Sequence, residues 1–328
     1  MPRVVVFDEF GGPDVLRIVE EPVTEPEAGE VRIRIEAFAL NPLDVMMRSG
    51  MSPAPIALPH SRLGVEATGV VDAVGPGTVS LRVGDPVVVA VVADPVARGT
   101  YADYATLPAS AVFARPDGSL DVVEAAATWV GFSTAYGALV ERAGMRAGDV
   151  VLVAGASGSV GRAAMQLAGQ FGATPIAITR DPGKRDDLLA AGAASVVVSG
   201  RDDLVAAVRG LTGGAGADIV LDLVRGPGQR DLLRSTRAGG TLVAAGFLDS
   251  RPTPEPVDGS VTVVGYRGYD DLLQPEVVAR MEAAYRSAVR LGRLSPAIDT
   301  TFDVGRVVDA HRRFDAGTNA GRKIVVTT

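Results

Sequence analysis

Three glycines, Gly155, Gly158 and Gly161, punctuate the stretch VLVAGASGSVG (151–161) at the end of an apolar run. Each has a distinct task when such a turn holds a dinucleotide. The first permits a tight strand-to-helix turn, the second lets backbone N–H groups approach a diphosphate, and the third allows close helix–sheet packing. Ser157, Ser159 and Val160 belong to the same turn, so the cradle expected for a cofactor diphosphate is Gly155, Ser157, Gly158, Ser159, Val160 and Gly161. The diphosphate would sit at a helix N-terminus, where free N–H groups and the helix dipole favour an anion. A plain helix-entry turn, or a cradle for another nucleotide-like ligand, has the same spacing.

The next strand should end at the adenosine ribose, and its last residues choose the cofactor. An acidic residue there takes the ribose hydroxyls of NAD, whereas cations take the 2′-phosphate of NADP. The chain reads AITRDPGKR, with Thr179 and Arg180 at the strand end and Lys184 one turn on. Arginine pairs bidentately with phosphate, so NADP(H) is the expected cofactor. Asp181 would favour NAD if it, rather than Arg180, faced the ribose. A solvated charge cluster is the remaining reading.

These residues need a parallel sheet, and the order of elements supplies one. From Asp149 onward, β and α segments alternate: VVLVAGA, a helix ending at Gly172, TPIAITR, DDLLAAGA, SVVVSG, a helix over 202–210, ADIVLDLV, a helix over 228–237, then GGTLVAAGF and SVTVVGY. Such alternation predicts a doubly wound α/β unit. Before it, VRIRIEAFAL (31–40), VEATGVVDAVG (65–75) and VGDPVVVAVV (83–92) read as strands separated by Gly and Pro, an all-β pattern. Residues 122–144 read as one Ala-rich helical stretch ending at a glycine. After them come the helix PEVVARMEAAYRSAVRLG and a tail of strand, helix and strand. RPTPEPVDG (251–259) reads as a proline-rich surface loop.

The totals exclude several chemistries. There is no cysteine, which removes disulfides, thiol nucleophiles and cysteine-liganded zinc. His60 and His311 are the only histidines, too few for a three-histidine metal centre. A net charge of −7 gives no basic footprint for nucleic acid or an anionic membrane. No apolar run spans a bilayer and MPRVVVFDEFGG lacks a signal-peptide core, so a cytoplasmic protein is expected. Lys184 and Lys323 are the only lysines among 32 basic residues, which makes their positions worth locating.

Taken in order, FGGPDVLRIVE, NPLDVMMRSG (41–50), GVEATGVV (64–71), GTYADYATLP (99–108), EAAATWVGFSTAYGAL (124–139), the glycine turn, GADIVLDLV (216–224), GGTLVAAG (239–246) and GRKIVV (321–326) resemble the zinc-independent quinone oxidoreductases of the medium-chain dehydrogenase/reductase superfamily. The resemblance runs nearly the whole length. It implies a GroES-like, mostly β catalytic domain (1–118 and 294–328) around a Rossmann NADP(H)-binding domain (119–293), and a homodimer, which the strand VTVVG (261–265) would form by pairing across a two-fold axis. It also implies that Asn41, Asp44 and Thr134 line the nicotinamide cleft, although Asn-Pro and Asp44 are equally good turn and capping residues and Ser133 competes with Thr134. Gly246 and Phe247 would approach the nicotinamide, Phe247 being alternatively core. Lys323 matches a C-terminal family lysine, and Arg201 would contact the adenosine phosphate in place of a missing tyrosine. Met46 stands where some members carry a tyrosine. Zinc alcohol dehydrogenases of the superfamily carry a cysteine and a histidine where this chain has Asn41 and Val65, so no metal is expected.

A site without metal or a strong proton relay suits an acceptor that spreads the incoming charge. Hydride addition to a quinone or an α,β-unsaturated carbonyl gives a phenolate or enolate that solvent can protonate. The function expected is therefore NADPH-dependent quinone or enone reduction. An enoyl-thioester reductase and a cofactor-binding protein with little turnover are the alternatives.

Overall fold

The computed structural model of the chain describes residues 1–52, 54–254 and 259–328. They form two compact units: Met1–Val130 with Leu272–Gly292 and Pro296–Thr328, and Gly131–Asp271 with Arg293–Ser295. Of the proline-rich segment 251–259, residues 255–258 lie outside the described residues. Among the described residues, no helix is long and apolar enough to cross a membrane.

The first unit is mostly β, with a GroES-like architecture. Its larger sheet runs Ile298–Asp303, Lys323–Thr327, Glu30–Ala39, Ala67–Val74, Pro86–Val89 and Val112–Ala114, and Tyr104–Pro108 also pairs with Glu30–Ala39. Alternation builds the central strand: Val31, Ile33, Ile35 and Ala37 are fully buried. Arg32 points the other way, 2.6 Å from Asp72. A smaller sheet joins Leu16–Glu20, Arg3–Phe7 and Ser61–Arg62. Both chain ends thus contribute strands, with Lys323–Thr327 antiparallel to Glu30–Ala39. Trp129, Phe113 and Tyr285 pack edge to face, with ring centroids 4.9–5.6 Å apart. Tyr285 brings in the helix Pro275–Arg290.

The second unit is a doubly wound Rossmann sheet. Six parallel strands run in the order Ser195–Val198, Thr174–Thr179, Val150–Ala154, Ala217–Asp222, Thr236–Ala244 and Thr262–Gly265. Numbered along the chain this is 3-2-1-4-5-6, with the reversal beside Val150–Ala154. Leu152, Ile176, Val220 and Leu242 share one apolar core. Thr262–Gly265 is an edge strand and largely exposed.

Two local expectations change. The helical stretch 122–144 is broken into Val122–Ala126, Trp129–Tyr136 and a wide turn, Gly137–Arg142. At the first break the Thr128 hydroxyl donates back to Ala125 O (3.1 Å), lies 2.8 Å from the Tyr285 hydroxyl, and so competes with helix continuation. At the second, Gly137 leaves room for the Tyr266 hydroxyl, which would stand 1.8 Å from a Cβ there. The helix expected over 228–237 stops at Ser235, because Thr236 already begins a strand.

Candidate functional site

In the Rossmann unit, the glycine turn has the conformation its sequence demands. Gly155 has φ +76°, and a Cβ on Gly161 would stand 2.6 Å from both Ala156 Cα and Gly155 O. Gly158 begins the helix Ser159–Gln170 without any side-chain cap, so no protein oxygen from a side chain competes for its first-turn N–H groups. Ser157, Ser159 and Val160 are half-buried on the same turn. Arg162 braces it, bonding to Ser157 O (3.4 Å) and pairing with Asp187. A cradle that a Cβ would fill, in front of an uncapped helix end, fits a diphosphate.

At the end of the second strand the acidic residue is already engaged. Asp181 Oδ1 accepts the Gly183 N–H (2.9 Å) and caps the turn Pro182–Lys184. Thr179 is buried, and its hydroxyl accepts the Asp181 N–H at 3.1 Å. Arg180 and Arg201 are exposed and Lys184 is half-buried. Arg185 is taken by Val196 O at 3.0 Å. Beyond the fifth strand, Gly246 donates to Asp222 O (3.0 Å), and a Cβ there would stand 1.8 Å from Leu223 O. Phe247 is 53% exposed and so is not a core residue. Thr134 is half-buried, its hydroxyl 3.4 Å from where a Gly268 Cβ would be, whereas Ser133 is buried.

The mostly β unit holds a buried polar network around Asn41. The Asn41 amide is fixed in one orientation: Oδ1 accepts from Lys323 Nζ (2.6 Å), while Nδ2 donates to Glu66 Oε2 (3.2 Å) and Ala39 O (3.2 Å). Lys323 Nζ also lies 2.5 Å from Glu66 Oε2, in a pair whose side chains are 4% and 0% exposed. Glu66 Oε1 accepts the Val130 N–H at 2.8 Å. One carboxylate therefore ties the strand Lys323–Thr327, the start of the helix Pro42–Ser49 and the start of the helix Trp129–Tyr136.

Asp44 completes the network from below. It is fully buried, accepting the Asn41 N–H on Oδ2 (2.8 Å) and the Gly64 N–H on Oδ1 (3.1 Å). The first bond is half of a capping box that starts the helix Pro42–Ser49. Burial raises its pKa to about 6, against the two N–H donors and the Lys323 charge, which lower it. The Tyr101 hydroxyl borders the same carboxyl outside ordinary hydrogen-bond geometry. His311 is buried, with its pKa pushed down to about 3 by desolvation and Arg48, so the ring is neutral. His60 is exposed and lies 2.6 Å from Glu21.

The structure thus brings Asn41, Asp44 and Lys323 together in one unit, and the glycine turn, Thr179, Arg180 and Lys184 at one edge of the other. Glu66 is the residue that sequence reasoning did not single out. Its signal was a lone carboxylate inside the apolar run GVEATGVV, which requires a buried partner.

Residues 27–117 match the alcohol dehydrogenase GroES-like domain, and residues 159–283 match the zinc-binding dehydrogenase family. The human quinone oxidoreductase is 29% identical over 328 residues, covering 99% of this chain and 97% of that protein. Among solved structures, an NAD-dependent alcohol dehydrogenase is 31% identical with a TM-score of 0.87, covering 99% of each chain. The Escherichia coli quinone oxidoreductase, solved with NADPH, is 25% identical with a TM-score of 0.87, covering 99% of this chain and 100% of that one. Zinc stands in the second family's description, and among the described residues no group of three or more His, Cys, Asp or Glu side chains could hold a metal ion. Both Glu66 oxygens are committed to Lys323, Asn41 and Val130.

Proposed function

This chain belongs to the quinone oxidoreductase family of the medium-chain dehydrogenase/reductase superfamily, and on that footing we propose that it is an NADPH-dependent reductase of quinones or α,β-unsaturated carbonyls, acting without a metal. The observation that carries the reading is the Lys323–Glu66–Asn41 network. It is an ion pair that is neutral overall, and it would take the place that the resemblance to zinc alcohol dehydrogenases gives to a metal centre. A neutral pair offers little to the localised alkoxide formed from an isolated ketone. An acceptor that delocalises its own charge needs less help.

The reduced nicotinamide supplies the hydride. The turn from Gly155 to Gly161 would hold the cofactor's diphosphate, with Arg180, Lys184 and Arg201 serving the adenosine phosphate. Asp181 is spent on capping, which supports NADP(H) over NAD. Gly246, Phe247 and Thr134 would border the nicotinamide. Lys323 and Glu66 lock the Asn41 amide, and Asn41 with Asp44 starts the helix Pro42–Ser49, so this part of the mostly β unit is held rigid. Asn41 and Asp44 are 2% and 0% exposed, which makes them positioning residues and leaves protonation of the product to solvent.

The test is steady-state NADPH consumption by chelator-treated protein with a quinone, a simple enone, an enoyl-CoA and an isolated ketone. Turnover of the quinone or enone, with none of the ketone, is expected. Faster turnover of the enoyl-CoA than of either would move the substrate class to thioesters. Binding of NADPH without any turnover would make the chain a cofactor-binding protein.

A further inference from the structure

Among the described residues of the Rossmann unit, Arg225 is the one residue other than glycine with positive φ (φ +66°, ψ −152°). Glycine enters that region freely, whereas an L side chain is strained there. The turn that imposes the conformation is firmly held. Asp222, fully buried at its strand end, accepts the N–H groups of Val224 (3.0 Å) and Arg225 (2.8 Å) on Oδ1. Its Oδ2 accepts from Gln229 Nε2 at 2.8 Å. Gly226 donates to Thr253 Oγ1 (3.1 Å), and a Cβ on Gly226 would stand 2.5 Å from Asp249 Cγ.

Position gives this strained arginine a use. The strand order reverses between Val150–Ala154 and Ala217–Asp222, and ligands of doubly wound sheets lie outside the carboxyl ends of the strands at that point. The glycine turn leaves one of these strands and the Arg225 turn leaves the other. Asp249, packed on Gly226, also feels the charge of Arg180, so the turn lies on the side of the crevice that Arg180 borders. Asp249 is itself paired with Arg251 at 2.7 Å. The Arg225 side chain is half-buried, and among the described residues its guanidinium has neither a hydrogen bond nor an ion pair.

We infer that Arg225 is a further dinucleotide-binding residue, whose guanidinium contacts the adenosine half of the cofactor and for whose sake an arginine is kept in a glycine conformation. The inference rests on the proposed dinucleotide reading of the glycine turn. A guanidinium can meet the adenosine half by a charge-assisted bond to its phosphate or by stacking on its base.

Arg225→Gly and Arg225→Ala separate the side chain from the strain. Each variant and the wild type are titrated calorimetrically with NADPH and NADH, and melted without cofactor. Both variants should bind NADPH roughly 10-fold or more weakly, the loss expected for one hydrogen bond to a charged group. Only the glycine variant should also melt higher, by about 2–4 °C, as the strain is released. A greater loss for NADPH than for NADH places the contact on the phosphate, and an equal loss places it on the base; both support the inference. Wild-type affinity in both variants overturns it and leaves the parent reading standing. A wild-type protein that binds neither dinucleotide overturns both.

Discussion

Replacing Lys323 by Met removes one half of a fully buried ion pair and leaves the other half intact. Glu66, 0% exposed, would keep only the Val130 N–H at 2.8 Å and the weaker Asn41 Nδ2 bond at 3.2 Å. Asn41 Oδ1 would lose the Lys323 donor, at 2.6 Å. Stranding a buried charge in this way costs about 3–5 kcal/mol, a large share of a typical stability of about 5–15 kcal/mol. Glu66→Gln strands the ammonium instead and should cost a comparable amount. The double variant has no buried charge, so its cost should fall short of the sum of the singles by about 2 kcal/mol or more. Lys323→Arg keeps the charge and should be the mildest of the set. The chain has a single tryptophan, Trp129, buried next to Val130 with its indole N–H on Ala90 O (2.8 Å). Urea unfolding followed by Trp129 fluorescence therefore reports on the unit that holds the network. Single variants that each cost less than about 1 kcal/mol, or a strictly additive double variant, would refute the coupling argument.

Further outcomes follow from the same geometry. Arg180→Ala should weaken NADPH by roughly 10-fold or more while leaving NADH almost unchanged, by calorimetry; equal losses would remove the phosphate assignment. Gly161→Ala drives a Cβ to 2.6 Å from Ala156 Cα, so it should destabilise the Rossmann unit by about 1–3 kcal/mol and weaken dinucleotide binding. Asp44 has a raised pKa of about 6 in the folded chain, against an ordinary 3.8, so its folded form holds its proton more tightly and it opposes folding increasingly as pH rises between those values. The stability of Asp44→Asn relative to wild type should therefore improve by about 2 kcal/mol between pH 4 and 7 in urea titrations; a gap independent of pH would contradict the raised pKa. The exposed edge strand Thr262–Gly265 should pair with its symmetry mate in a homodimer, and sedimentation showing monomer alone would sink that proposal.

How far the sequence could be read depended on whether a feature is local. The glycine turn is local: tight turn, close packing and helix entry are all written within seven residues, and Gly155 and Gly161 have the conformation and crowding that their spacing predicts. The βα alternation likewise announces the parallel sheet. The network around Asn41 is not local, because Lys323 meets Glu66 across 257 positions and Asn41 across 282. With two lysines in the chain, one of them in the apolar strand GRKIVV, a buried partner was implied but not its identity. Asp181 illustrates a different limit. Sequence leaves open whether Asp181 or Arg180 faces the ribose, and the 2.9 Å bond that Asp181 accepts from Gly183 is visible only in the folded turn. The strain at Arg225 has no sequence signature at all, since φ is set by Asp222, Thr253 and Asp249 acting together.

The central claim, hydride delivery to a conjugated acceptor without a metal, is tested most directly by isotope transfer. Chelator-dialysed protein is incubated with NADPH deuterated at both C4 positions and a simple enone, and the product is analysed by NMR. The structure predicts one deuterium on the carbon β to the carbonyl, at a rate unchanged by added Zn²⁺. Deuterium on the carbonyl carbon, or turnover that appears only once Zn²⁺ is supplied, would contradict it.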